Sequence, residues 1–319
     1  MSFLRSICRK FSTLNGSCFL EKLHHRDIIR VSGNEAKQFL QGLTTNDMNH
    51  FERGSKSIYS MFLNKNGRVM YDSIIFKAAD PDTFLIECDK DISPDLNRYL
   101  RLFRVRRKIN IDSIENDFST WVLYDKEKNF ESLEIPKEMK DILISIDPRL
   151  KALGCRLIVP SSFEPHQLEN IFLNQLKLVC SIDGENDYKL HRYKLGIGEG
   201  VIDHPPMKCF PLETNCDYLH GVSFHKGCYV GQELTARTYH TGTIRKRIMP
   251  VISLNDFSDS AGHIQLSNGT NVGTIRGIKG KVALALIRME QALKAPELLV
   301  NNTLVEVIKP EWWPQSQNS

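Results

Sequence analysis

The sequence predicts an α+β fold that gives way, from about residue 243, to a small C-terminal β-barrel. Three observations carry this. Short alternating apolar runs are interspersed with helix-type patterns through the first two thirds of the chain. Asn-Gly, Ser-Pro and single glycines punctuate them. Beyond residue 243 the texture changes to short strands with glycine-rich turns.

Taken in order, "DIIRVSGNEAKQFLQGLTTNDM" reads as a strand, then a helix opening near Ser32 or Asn34 and stopping at Gly42. "SIYSMFLNKNGRVMYDSIIFKAA" reads as a hairpin, with Asn66-Gly67 supplying a type I′ turn. "TFLIECD" is a strand. "SPDLNRYLRLFRV" is a helix begun by Ser93 and Pro94, with Leu96, Leu100 and Phe103 on one face. "KINIDSI" and "STWVLYD" are strands, while "PHQLENIFLNQLKL" and "ENDYKLHRYKLG" are helical. A Pro-, Asp- and Asn-rich loop runs from 198 to 220. The barrel strands are "IRKRIMPVISL", "NVGTIRGI", "KVALALIRM" and "TLVEVIKP".

With 319 residues, 41% apolar and 25% charged, the chain has ordinary globular composition and room for two or three domains. No apolar run is long enough to span a membrane. The net charge of +4 is unevenly placed, since residues 1–24 hold Arg5, Arg9, Lys10 and Lys22 against Glu21 alone. The remainder is too balanced for a nucleic-acid binder. The acid-poor, Arg- and Ser-rich opening reads as a mitochondrial presequence, and "RKFS" places cleavage after Phe11. The eight cysteines contain no C-x-x-C pair, which suits a reducing compartment. Cys88, Cys155 and Cys180 sit in apolar settings and read as packing residues. Arg101, Arg104, Arg106, Arg107 and Lys108 form a basic cluster, read either as a solvated face or as a site for phosphate, a polyanionic cofactor tail or RNA.

The chemistry concentrates in "FHKGCYVGQELTAR", residues 224–237. The spacing fails as a phosphate loop, and "GIGEG" at 196–200 fails as a dinucleotide fingerprint because prolines follow it. Cys209, Cys216, His220, His225 and Cys228 are metal-ligand types within twenty residues, but their spacing matches no standard finger, and no permanently bound metal is expected. A reactive thiol remains, with a tight structural turn as the alternative. Gly227 frees the backbone before Cys228, Lys226 and His225 add positive charge, and "YVGQELTAR" can open a helix whose amides face the sulfur.

"KGCYVGQE" (Lys226, Gly227, Cys228, Tyr229, Gly231, Gln232 and Glu233 within it, Arg237 beyond) resembles the signature of the YgfZ family, in the glycine-cleavage T-protein (GcvT) folate-binding superfamily. The longer "GVSFHKGCYVGQELTARTYHTGTIRKR" is similar to the CAF17-type mitochondrial iron–sulfur assembly branch. "VSGNEAKQFLQGLTTND", "NKNGRVMYDSIIF", "DPRLKALGCRL" and "VGTIRG…KVALALIR" resemble further family segments. The resemblance implies a ring of three small domains around a central channel that admits tetrahydrofolate. It divides the chain into a disordered presequence (1–24), two interleaved α+β subdomains (25–242) and the barrel (243–319). Asp72 falls at the position of the folate enzymes' catalytic aspartate. Asp72, Tyr193 and Glu199 are the candidate folate contacts, Glu199 because Lys194 stands where the family's pterin-binding acid would be and a cation cannot accept those hydrogen bonds.

The function implied is a matrix iron–sulfur assembly factor. It would act with A-type carriers in [4Fe–4S] maturation of aconitase- and lipoate-synthase-like enzymes, with Cys228 as thiol or transient shared cluster ligand. The alternatives are a folate-dependent one-carbon transferase using Asp72, and a role in RNA modification suggested by the basic cluster.

Overall fold

The computed structural model of the chain describes residues 18–126, 130, 141–176, 180–182, 187–260 and 262–315. Cleavage near Phe11, Cys8 and the Cys180 side chain lie outside them. Cys18–Lys22, expected to belong to a disordered presequence, instead form strand β1, so the folded chain begins before residue 24.

Two five-stranded sheets lie face to face. The first contains β3 (Ser57–Leu63), β4 (Val69–Lys77), β5 (Thr83–Asp89), β2 (Arg26–Ser32) and β6 (Asn110–Ser113), in that order. The second runs β10 (Cys180–Ile182), β1, β7 (Phe118–Tyr124), β9 (Cys155–Pro160), β8 (Leu143–Ile146), antiparallel except where β1 meets β10. Period-two alternation explains the layering. On β3, Tyr59, Met61 and Leu63 face the second sheet, where they join Val122, Tyr124 and Ile158. Ile58 and Phe62 face the other way, toward helices α1 (Ala36–Gln41) and α2 (Ser93–Arg104), which contribute Phe39, Leu40, Leu96 and Leu100. The outer face of the second sheet (Leu20, Trp121, Leu123, Leu157) is covered by Leu168 and Phe172 of α3 (Pro165–Leu176). The order of layers is therefore helix, sheet, sheet, helix.

The β3–β4 turn departs from the type I′ expectation. Only Gly67 has positive φ (73°), Gly67 N donates to Asn64 O at 2.9 Å, and the register shifts by a bulge beside Leu63. This is a longer loop built on a left-handed glycine, which keeps Asn66 out of the unfavourable region. Helix α1 opens later than expected, at Ala36, with no side-chain cap.

Helices α4 (Asp187–Leu195) and α5 (Gly200–Asp203) lead into the 205–221 segment, whose Cys209, Leu212, Cys216 and Leu219 are buried. Helix α6 (Gln232–Thr241) follows. The chain ends in a closed six-stranded barrel ordered β11 (Lys246–Ser253), β14 (Val282–Arg288), β13 (Asn271–Lys279), β12 (His263–Leu266), β15 (Leu298–Val300), β16 (Thr303–Val307), with α7 (Met289–Lys294) after β14. Met249, Val251, Ala283, Ala285 and Ile287 point inward, while Ile248, Leu284 and Leu286 point outward onto Tyr193 of α4. Arg247 clamps the barrel to the preceding segment by a bidentate pair with Asp217, both bonds at 2.8 Å.

Candidate functional site

The loop before α6 is held from three sides. Lys226 turns inward, and its Nζ donates to the carbonyl oxygens of Gln41, Thr44 and Asn46, each at 2.7 Å. These carbonyls lie at and just beyond the end of α1, where helix geometry leaves acceptors unpaired. Burial pulls the Lys226 pKa down to about 7, against the smaller opposing pull of Asp47. The receiving segment is itself fixed. Thr45 Oγ1 donates to Gly221 O at 2.7 Å, and Asn46 Nδ2 donates to Tyr59 O and His220 O at 2.7 and 2.8 Å. Tyr229 is buried in the inter-sheet core, with the Lys226 ammonium 5.0 Å from its ring centroid. Gly231 caps α6 at φ 78°, so close to the β3–β4 turn that a Cβ there would lie 2.4 Å from Asn64 O.

Between these anchors the chain bulges outward. His225, Gly227 and Cys228 are exposed, and a Cβ on Gly227 would meet no atom within 4 Å. Cys18, Cys88, Cys155, Cys209 and Cys216 are all buried, which makes Cys228 the only exposed thiol among the described residues. Burial pushes the Cys155 and Cys209 thiols up to about 12, so neither supplies a thiolate near neutrality. Beside the loop, Phe224 stacks on Tyr239 of α6, ring centroids 3.6 Å apart, with His240 edge-on.

Two expectations change here. The Lys226 ammonium turns inward to the carbonyl cage and is not hydrogen-bonded to the sulfur. Helix α6 starts four residues beyond the thiol, and no amide bonds to Cys228 Sγ among the described residues. Gln232 Oε1 instead accepts from Tyr229 N at 3.4 Å, while Glu233 and Arg237 form an exposed pair one helical turn apart at 3.9 Å. The metal-ligand types of 209–228 are also dispersed. Among the described residues no three His, Cys, Asp or Glu side chains converge as a metal site.

A second cluster fills the space between the sheets. Glu199 Oε2 meets Arg156 Nη2 at 2.5 Å and Arg149 Nη2 at 2.8 Å, while Oε1 faces His25 Nε2 at 3.4 Å and Arg192 Nε at 3.8 Å. Arg149 is also chelated by Asp147, at 2.9 and 2.7 Å, and Arg26 Nε donates to Glu87 at 2.8 Å. Burial alone would raise the Glu199 pKa, but Arg156, Arg192, Arg149 and Arg26 outweigh it and hold the carboxyl well below its ordinary range. Sequence reasoning missed this lattice. The signal was the D-P-R…G-x-R spacing of "DPRLKALGCRL", whose two arginines both point to the centre. Gly154 between them must be glycine, both because φ is 84° and because a Cβ would lie 2.2 Å from Leu123 O.

Asp72 lies at the edge of this lattice. Its Oδ1 accepts from Gly200 N at 3.1 Å, and its Oδ2 is 3.9 Å from His204 Nδ1; neither of those two atoms has a hydrogen-bond partner. Two of the candidate folate contacts, Glu199 and Tyr193, are already engaged. Lys194, at the family's pterin-binding position, is exposed on α4, and both Glu199 oxygens meet cations. The Tyr193 hydroxyl donates to Asp203 at 2.6 Å, where it also abuts Gly277 of β13 as a strut between α4 and the barrel.

Two face-to-face sheets, a closed barrel and one outward thiol on the segment joining them define a protein with the glycine-cleavage T-protein fold and a CAF17-type barrel. The "GCVT N-terminal domain" family matches residues 9–123 and the "CAF17, C-terminal beta-barrel domain" family matches residues 245–315. In fold the chain is similar to glycine cleavage system aminomethyltransferase T from Bartonella henselae, at TM-score 0.71 and 14% identity over 93% of this chain and 87% of that one. It is 33% identical to the iron-sulfur cluster assembly factor IBA57, mitochondrial, of Mus musculus, over 93% of this chain and 86% of the mouse protein. Identity to the Homo sapiens IBA57 is also 33%, over 93% and 85%. The chain belongs to the IBA57 family.

Proposed function

We propose that the chain is a mitochondrial iron–sulfur cluster assembly factor in which Cys228 lends one ligand to a cluster held jointly with an A-type carrier. The observation that carries this is the contrast between the exposed Cys228 thiol and the fixed frame that presents it. A [2Fe–2S] or [4Fe–4S] cluster takes four ligands, usually thiolates. One exposed cysteine supplies one of them, so the partner provides the others, and the cluster is cargo rather than a resident cofactor. The open space at Gly227 leaves room for a partner backbone, and the stacked Phe224–Tyr239 pair offers aromatic surface beside the sulfur. The matrix is the compartment this chemistry needs, since free thiols persist there. Maturation of [4Fe–4S] enzymes of the aconitase and lipoate-synthase kind is the expected outcome. Tetrahydrofolate has no role in this reading.

The test is anaerobic reconstitution of full-length protein with an A-type carrier, followed by visible absorption of the complex after gel filtration. Wild type and Cys155→Ser should retain the cluster, and Cys228→Ser should lose it while keeping its thermal transition. If Cys228→Ser retained the cluster and restored aconitase activity and lipoylation in null cells, the thiol would be dispensable and the loop only a structural turn.

A further inference from the structure

The tip of α2 has a composition that folding does not explain. Between residues 98 and 108 lie Arg98, Arg101, Arg104, Arg106, Arg107 and Lys108 with no acid, more charge than the whole chain's net +4, so everything else is net negative. Leu96 and Leu100 bury the inner face of the helix. Leu102 is on the opposite face, 75% exposed, and Val105, just past the last turn, is 77% exposed. Val105 also sits at φ 49°, ψ −110°, a region disfavoured for a β-branched side chain, where glycine would be unstrained. Two apolar side chains are thus held in water, one at a conformational cost, at the apex of a cationic turn.

The base of the turn is fixed. Arg101 Nη2 donates to Ile111 O at 2.5 Å, Arg107 lies over the Phe39 ring at 5.7 Å, and Lys108 N donates to Glu35 at 2.8 Å. Arg104, Arg106 and the Lys108 ammonium make no ion pair with the described residues. We infer that this tip docks on an anionic lipid bilayer, with Leu102 and Val105 entering the headgroup layer and Arg104, Arg106 and Lys108 meeting lipid phosphates. Polybasic segments carrying apolar side chains bind such surfaces by summed electrostatics and shallow insertion. A nucleic acid would use the cations but gain nothing from leucine and valine. The nearby aromatics are no stacking platform, because Tyr99 and Phe103 pack on each other at 4.7 Å and Tyr99 on Phe62 and Tyr71. A convex tip also suits a soft interface better than a preformed protein pocket. The association is peripheral, since no helix among the described residues is long and apolar enough to cross a membrane.

Flotation of the full chain with phosphatidylcholine vesicles, with and without about 30 mol% phosphatidylglycerol, tests this. Binding is expected only to the anionic vesicles. Arg104→Gln and Arg106→Gln should each weaken it about fivefold, the equivalent of ~1 kcal/mol per surface cation. Val105→Gly, which relieves the backbone, should also weaken binding several-fold at constant salt without lowering the melting temperature. Failure to float with anionic vesicles would overturn the inference, as would equal binding to both vesicle types or full binding by Val105→Gly. Capture of a single-stranded RNA oligomer by a protein indifferent to vesicles would overturn it in favour of nucleic acid.

Discussion

Glu199→Gln is the sharpest probe of the buried lattice, because it changes one charge and almost no volume. The carboxylate lies within 2.8 Å of two arginines and 3.8 Å of a third, all buried. Glutamine can keep the Oε2 acceptor for Arg156 and Arg149, but it turns an amide donor toward Arg192 and removes the negative charge that offsets the buried guanidiniums. Breaking a buried pair from one side costs about 3–5 kcal/mol. Two direct contacts place this site near the middle of that range, so at ~2–3 °C per kcal/mol for a chain of this size the transition should fall by about 10 °C. The acid limb gives an independent reading. Folded Glu199 takes up its proton only well below the pH at which an unfolded glutamate does. Its stabilisation is therefore complete above the unfolded value of about 4.3 and is lost as pH falls below it toward the depressed folded value. Scanning calorimetry between about pH 3 and 7 should show a steeper decline for wild type than for Glu199→Gln at the acid end. A Glu199→Gln transition within ~2 °C of wild type, with an unchanged acid slope, would mean that the arginines are satisfied by other groups.

Three further outcomes follow from the same geometry. Lys226→Met removes the donor shared by three buried carbonyls and should cost about 2 kcal/mol by denaturant titration; it should also lower cluster retention although Cys228 is intact. Gly231→Ala, with φ 78° and 2.4 Å to Asn64 O, should be destabilised by more than ~1 kcal/mol, whereas Gly227→Ala in open space should stay within about 0.5 kcal/mol of wild type. Calorimetry with tetrahydrofolate should give a dissociation constant weaker than about 1 μM, and tighter binding would require a pterin contact other than Glu199.

Much of the fold was legible because it depends on local signals. The β5 run "TFLIECD" and the Ser93-Pro94 start of α2 lie within a residue or two of where periodicity and helix-start chemistry put them. The hairpin was found but its turn misread, because Asn-Gly favours type I′ only when the loop has two residues, and packing of Gly231 against Gly67 selects a longer one. The site was half legible. "KGCYVGQE" marks Cys228, yet the use of Lys226 is set by carbonyls almost two hundred residues away, and no sequence neighbour reveals them. Glu199 sits in "GIGEG", a run whose glycines drew the reading toward nucleotide loops and away from its acid. Its true setting required four arginines from separate strands, helices and loops to converge, which only the stacking of the two sheets achieves.

The carbonyl cage around Lys226 ties the end of one of the first helices to a loop in the last third of the chain, 185 residues on from Gln41. A chain delivered N-terminus first builds the receiving half of that lock early and the lysine late, and closing so long a separation comes after local structure has formed. Until Nζ reaches its three oxygens, the loop lacks one of its three anchors. The segment that carries the exposed thiol is therefore set only once the end of α1 and the loop before α6 have met.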